Sequence, residues 1–488
     1  MTAETILAKL KKLGFETVPA SWYARIAVWD SWYRGSVPDF HDYRVYNGLR
    51  HVRCRKLTAG MAKNVCESWA DLLMNSRVTV TLEGKGEQQF FDAVCAGSNF
   101  RRMMNLFEEY TFALGTSAIV LRLAGVPVDG SGNLLQRGAA CPGDEPGSPT
   151  VSMDFIRADG VFPLSWENGV VRECAFATTR TERGREYLYL QLHLLNPDGT
   201  YRIENRLYAA PDAGSGDGDF PAEVSLAELQ ATGDSAPVFL TGSTEPLFFL
   251  NTPNIANNLA PEIPMGVSVF ANAIDQLMDC DNIFDSLNSE FVLGRKRIMV
   301  KPEAIRNLEG EPLFDANDLV FYILPEDSQN GSTIHEIDTS LRIPAHVSGL
   351  QVALDLLGLK CGFGPNHWKF DAGHITTATQ ILSANSEEYR TQQKHQLVLE
   401  ALLIRLARTV VRLGRDFLGL ELDPGVPVSV DFDNSAVENL AETFDRDIRM
   451  LKHGILSREE FREKWMNEDP KTASAALKEH EGAKKEAG

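Results

Sequence analysis

The feature that most constrains this chain is the contrast across His374. Gly362-Phe-Gly-Pro-Asn-His-Trp-Lys-Phe-Asp-Ala-Gly-His374 holds three glycines and a proline, which forbid a regular helix. From about Thr376 to Gly414 the longest helical pattern in the sequence follows. At about 1.5 Å rise per residue it spans on the order of 55–60 Å, more than a compact domain needs, and it reads as a strut. Any fold for this chain has to find room for that helix.

The 488 residues suffice for about three domains or one elongated multi-part chain. Hydrophobic residues make up 43% and charged residues 24%, which is globular composition and excludes wholesale disorder. Lys+Arg 48 against Asp+Glu 67 leaves a net charge of −19. A free-standing duplex binder is strongly basic, so contact with nucleic acid would be weak or past a repelling surface. Seven scattered cysteines without a C-x-x-C read as reduced thiols rather than a disulfide framework or zinc site. No signal-peptide core or membrane-length apolar run is evident, so a cytoplasmically made product without membrane contact is expected.

Along the chain, the first 75 residues read as helical, with Met61, Val65, Trp69, Leu72 and Leu73 on one face. Val78–Leu82 alternates as a strand. Phe100, Met103, Met104, Phe107, Tyr110 and Leu114 stripe a second helix, ended by Gly115, and Ala118–Leu123 reads as the next strand. Residues 125–149 are loop-like. Strands are expected over Val151–Ile156, Val170–Thr178, Glu186–Leu195 and Tyr201–Leu207, before the connector Asp212–Phe220. The segment from Asn251 to Gly266 has no period.

A long helix is then expected from Val267 to Gly294. Asp275, Asp279, Asp281, Asp285 and Glu290 make its non-apolar side acidic; such a face is most often simply solvated. The sign flips at Arg295, Lys296 and Arg297, a short cluster of a kind usually found on ordinary surface. Strand candidates follow at Ile298–Val300, Leu319–Leu324 and Thr333–Ile337, then a helix from Pro344 to Lys360. Near the end, Ser435 with Glu438 and Ser457 with Glu460 form two capping boxes.

Catalytic signatures are scarce. There is no phosphate-binding G-x-x-x-x-G-K-[ST], no G-x-G-x-x-G between strand and helix, no H-E-x-x-H and no G-x-S-x-G. His41 and His51 lie ten apart in a polar region read as helical, poor spacing for a shared metal. Asp431-Phe-Asp433 could be a metal-binding pair, but an edge strand followed by a helix cap is the better reading. The last two helices could suggest a helix-turn-helix, yet Glu459, Glu460, Glu463, Glu468 and Asp469 would repel phosphate. A lone loop lysine such as Lys369 is usually solvated.

The order of these pieces resembles the portal proteins, the head-to-tail connectors, of long-tailed bacteriophages. The likeness extends over nearly the whole chain and is carried by loose motifs in sequence: Trp29-Asp-Ser-Trp-Tyr-Arg-Gly35, Met61–Leu73 followed by Val78–Leu82, Phe112-Ala-Leu-Gly-Thr-Ser-Ala118, Pro264-Met-Gly-Val-Ser268 and His453-Gly-Ile-Leu-Ser457. The resemblance implies an α+β portal fold: wing 1–265, stem helix 266–294, clip 295–342, second stem helix 343–361, tunnel loop 362–375, long wing helix and following segment 376–429, crown and tail 430–488. It implies a homo-oligomeric ring of about twelve copies at one capsid vertex of the virion, assembled in the host cytoplasm. Double-stranded DNA would pass through it during packaging and ejection. The implied partners are the packaging motor (the terminase large subunit), major capsid and scaffold proteins, and head-completion or adaptor proteins.

Within that resemblance the channel-facing candidates are His367, Trp368, Lys369, Phe370 and His374 of the loop, and Asp275, Asp279, Asp285 and Glu290 of the stem. Arg295, Lys296 and Arg297 would belong to the clip. Trp368 and Phe370 are expected to pack between neighbouring loops, while roles for His367 and His374 stay open. Lys369, repeated around a ring, would turn one weak phosphate contact into many. About 12 × −19 ≈ −228 formal charges would keep DNA from adhering to the wall. The family's ATPase is a separate subunit, so neither catalysis nor a cofactor is expected. The alternatives are another virion structural protein, or a metal-dependent enzyme using Asp431 and Asp433.

Overall fold

A computed structural model describes residues 2–75, 77–125, 128–133, 150–210, 222–233, 235–294, 297–300, 321–323, 334–337, 340–365, 367–369, 378–432, 440–453, 455–457 and 460–462. The chain divides into two units, Met1–Phe432 and Asp433–Gly488. It is a mixed fold of helices and mostly antiparallel sheets, in keeping with the α+β expectation.

The first unit opens with α1 (Ala3–Lys12) and α2 (Ala20–Tyr33). Instead of more helix, an antiparallel hairpin follows, β1 (Asp42–Tyr46) with β2 (His51–Arg55). Here the helical reading of the first 75 residues fails. The hairpin turns at Asn47-Gly48, where Gly48 takes φ 91° and the Asn47 side chain accepts from the Leu49 and Arg50 amides. His41 and His51 are therefore not on a helix.

Next come α3 (Met61–Leu73), β3 (Thr79–Leu82), α4 (Lys85–Gly97) and α5 (Phe100–Leu114). Helix α4 runs through Gly86 and has no counterpart in the sequence reading. Beyond α5 lie β4 (Ser117–Ala124) and β5 (Thr150–Arg157). A larger sheet then forms from β6 (Val161–Glu167), β7 (Val170–Glu182), β8 (Arg185–Leu195), β9 (Tyr201–Ala209), β10 (Ala222–Val224) and β11 (Val238–Leu240). Strand β12 (Phe248–Asn251) returns to pair with β4, whose other neighbour is β5.

Helix α6 (Ile274–Leu293) begins seven residues later than its apolar pattern suggests. The segment before it is claimed by α5: Val269 N–H and the Ser268 hydroxyl both donate to Phe112 O, and Gly266 N–H donates to Thr116 Oγ1. Gly115, at φ 80°, ends α5 so close to this segment that a Cβ there would sit 2.4 Å from Gly266 O. Backbone packing of that kind leaves no room for a helical turn.

Strands β13 (Arg297–Val300), β14 (Phe321–Ile323) and β15 (Ile334–Ile337) form a small sheet, β13 parallel to β14 and antiparallel to β15. Helices α7 (Ile343–Lys360) and α8 (Ala378–Phe417) follow. At 40 residues, α8 is the strut expected from the pattern. Strand β16 (Val428–Asp431) closes the unit by pairing with β3. In the second unit α9 (Leu440–Lys452) is followed by the reciprocal capping box: Glu460 N–H donates to Ser457 Oγ at 3.1 Å, and Ser457 N–H to Glu460 Oε2 at 2.8 Å. The box expected at Ser435 and Glu438 lies outside the described residues, as does Asp433. Among the described residues no helix is long and apolar enough to cross a membrane.

Candidate functional site

Helices α6 and α7 run antiparallel against one another, with the β13–β15 sheet inserted between their near ends. The ends are matched in space. Arg342, just before α7, donates to Glu290 near the end of α6, and His346 Nε2 lies 3.5 Å from the same carboxylate. At the other end, Lys360 Nζ donates to Asn272 O at 3.1 Å. The bond from Arg342 holds the Glu290 carboxyl below its ordinary range.

The acidic side of α6 divides into two kinds of carboxylate. Asp275 and Asp279 are exposed. Asp281 is buried and accepts from Ala59 N–H at 2.6 Å and Thr58 Oγ1 at 3.2 Å, while its second oxygen faces His41 Nε2 at 2.9 Å. Val37 N–H donates to His41 Nδ1, so the His41 proton sits on Nε2 and points at Asp281. Asp285 accepts from Leu57 N–H at 2.9 Å, and Asn282 from Lys56 Nζ at 2.6 Å. Asp281, Asn282 and Asp285 thus fasten the segment after β2 to the helix. Sequence reasoning counted Asp281 only as part of an acidic face, since its partner His41 is 240 residues away.

The chain leaves α7 through a glycine-dependent stop. Gly362 adopts φ 86°, Phe363 N–H returns to Gly358 O at 2.9 Å, and Gly362 N–H to Leu359 O at 3.4 Å. This geometry drives Phe363 into the core, where its ring stacks 4.5 Å from Trp69 and 4.3 Å from His367. Trp69 Nε1 donates to Cys361 O at 3.0 Å, pinning the same corner. Trp368 lies 5.2 Å from Phe363, and Gln351 Nε2 donates to its carbonyl at 2.9 Å. The Trp368 ring thus packs within its own chain. His367 Nδ1 lies 3.2 Å from Glu388 Oε2 on α8.

Lys369 is exposed beyond this anchored corner. Phe370 and His374 fall outside the described residues, as do Arg295 and Lys296; Arg297 opens β13 opposite Ile337. The structure brings His367, Trp368 and Lys369 together on one short arc and places Asp275 and Asp279 along a different helix. Asp431 is exposed on β16 opposite Thr79. Among the described residues no group of three or more His, Cys, Asp or Glu side chains could hold a metal ion.

Helix α7 supplies what the sequence reading did not single out. Its inner face buries Leu350, Ala353, Leu354 and Leu357. Its outer face is apolar too: Val352 is 59% exposed, Leu356 48% and Leu359 44%. The spacing of four and three residues makes them one stripe.

No family model matches the chain, and no curated protein matches it. Among solved structures, a chain described as "Virion of native gene transfer agent (GTA) particle" is similar over 83% of this chain and 88% of its own length, at 14% identity and a TM-score of 0.34.

Proposed function

We propose that this chain is a portal subunit: about twelve copies close into a ring at one capsid vertex, and double-stranded DNA passes through the bore during packaging and ejection. The observation that carries the reading is the α6–α7 pair. Two antiparallel helices bracket a small sheet, lead into an anchored loop and then into a 40-residue helix, and one member keeps an apolar stripe uncovered. A helix apolar on both faces belongs where both are covered. In a ring, neighbouring helix pairs cover each other's stripes. The β13–β15 insert would face the motor and later the neck proteins, and Lys369 would project from the loop toward passing phosphates. The chain itself supplies no catalysis in this reading; a separate motor does.

Negative-stain imaging and particle mass test it. The expected result is a ring with an axial hole, near 0.65 MDa for about twelve copies of a 54.1 kDa chain. A small species without a bore, or nucleotide hydrolysis by the purified protein alone, overturns it. Within a ring, Lys369→Ala is expected to leave assembly intact and alter DNA packaging or retention. Normal packaging and retention would remove the lysine from the mechanism.

A further inference from the structure

The β1–β2 hairpin is an island of positive charge. From Asp42 to Lys56 it carries Arg44, Arg50, Arg53, Arg55 and Lys56 against the single Asp42, a net of +4 in a chain of −19, so −23 remains on the rest. The register sets Asp42 opposite Arg55, Arg44 opposite Arg53 and Tyr46 opposite His51, all on one face. Arg44 and Arg53 therefore repel each other directly across the ladder. Only Arg53 has a carboxylate nearby, Asp42 at 3.3 Å; Arg44, Arg50 and Arg55 pair with none among the described residues.

The tip adds apolar surface: Leu49 is 91% exposed, Tyr46 59% and Val45 45%. A two-stranded ribbon is marginal by itself in water. This one is held at its foot, by the contacts of Asp281, Asn282 and Asp285 with the segment after β2. Beside that foot, a cleft of about 460 Å³ opens between Ser36 and His41 on one side and Arg53, Arg55 and Lys56 on the other.

We infer that the hairpin is an assembly arm whose arginine face and apolar tip dock on the acidic surface of a second copy of this chain. Charge complementarity names the partner, because the rest of a second copy carries a net formal charge of −23 to set against a face of unmatched arginines. The tip separates protein from nucleic acid: burying Leu49 and Tyr46 is favourable against a protein surface and gains little on a phosphate backbone. An apolar centre flanked by arginines is the make-up of protein interfaces. The inference deepens the ring reading by naming a surface through which copies join.

Sedimentation velocity over a range of protein concentrations, from about 50 mM to about 500 mM salt, tests it. Arg44→Glu/Arg53→Glu/Arg55→Glu and, separately, Leu49→Asp are compared with the parent, with thermal melting as the control for folding. Each variant is expected to raise the concentration for half-assembly by about tenfold or more. The parent's assembly should weaken more steeply with salt than the arginine variant's. A photo-crosslinking residue at position 49 of the otherwise intact chain should link to an Asp- and Glu-rich peptide of a second copy.

Folded variants that assemble like the parent overturn the inference, as does a crosslink confined to one chain. So does a variant that loses affinity for a DNA duplex while its assembly is unchanged. Rings that persist in the variants sink the arm and leave the portal reading standing. A small oligomer without a bore that the variants dissociate does the reverse, and a parent monomeric at every concentration sinks both.

Discussion

The β6–β9 sheet and the α6–α7 pair use their apolar residues in opposite ways. Strand β8 is buried from Tyr187 through Leu194: Leu188, Leu190, Leu192 and Leu194 join the main core, Tyr187 and Tyr189 pack with Leu207, Ala209 and Leu229, and His193 lies against Phe176 and Phe248. That region is complete within one chain. Helix α7 buries Leu354 and Leu357 but leaves Val352 and Leu356 in solvent. The contrast separates a region whose apolar residues are covered within one chain from one whose apolar residues stay in solvent, to be covered by a neighbour in the proposed ring.

The largest expected effect breaks the contrast at its open side. Val352→Asp with Leu356→Asp should reduce the assembled particle to a 54.1 kDa species, because each large apolar side chain that gains cover on assembly is worth about 1.5–3 kcal/mol and the carboxylates would be buried unpaired. The melting temperature of the subunit should barely move, since exposed substitutions cost within about 0.5 kcal/mol. Particle mass and melting are the two readouts. Unchanged mass would remove the stripe from the interface.

Trp69→Ala addresses the closed side. Trp69 is fully buried between Phe112 and Phe363 and bonds the Cys361 carbonyl. Its loss should cost about 3–5 kcal/mol in denaturant unfolding. It should also loosen the corner that holds His367 and Trp368, read as faster proteolytic cleavage after α7. A loss below about 1 kcal/mol would mean that the loop corner is held by something other than this stack.

Much of this was legible in the sequence where a pattern is local. The stripe of Phe100 to Leu114, the stop at Gly115, the strand from Ala118 and the long α8 all follow from spacing within one element. The hairpin was missed although Asn47-Gly48 between Tyr43/Val45 and Val52/Cys54 is a turn between alternating residues, because four arginines masked the period. Strands β6 and β12 are short, apolar and without alternation, so their type depends on neighbours far away in sequence. The site was less readable still. That Asp281 is a buried anchor while Asp279 is exposed depends on His41 and Ala59, and no spacing rule reaches across 240 residues.

The smallest effects sharpen the closed side, through three buried titratable groups. Glu108, in hydrogen bond with Asn251 at 2.7 Å, is raised by burial from 4.5 to about 8. His193 and His395 are lowered by burial from 6.5 to about 3. Between pH 6.5 and 8 the folded state holds the Glu108 proton that the unfolded chain has released, so stability falls as pH rises, by about 1.4 kcal/mol per unit. Between pH 4.5 and 6.5 the unfolded chain binds two histidine protons that the native state refuses, against one that Glu108 keeps, so stability rises with pH. These groups together place an optimum near pH 6.5. Glu108→Gln should flatten the alkaline limb, seen as a melting temperature that no longer drops toward pH 8, and steepen the acid one, where the two histidine protons are then no longer opposed. His193 lies between Phe176 and Phe248 with neither ring nitrogen bonded to any described group. Relief of that unmet polarity should make His193→Leu more stable at pH 7 by about 1 kcal/mol. The same variant should lose one proton's worth of acid slope. A His193→Leu protein that is less stable at pH 7, with the parent's acid limb intact, would show that the imidazole is partnered in solution and that the sheet is not the self-sufficient half of the comparison.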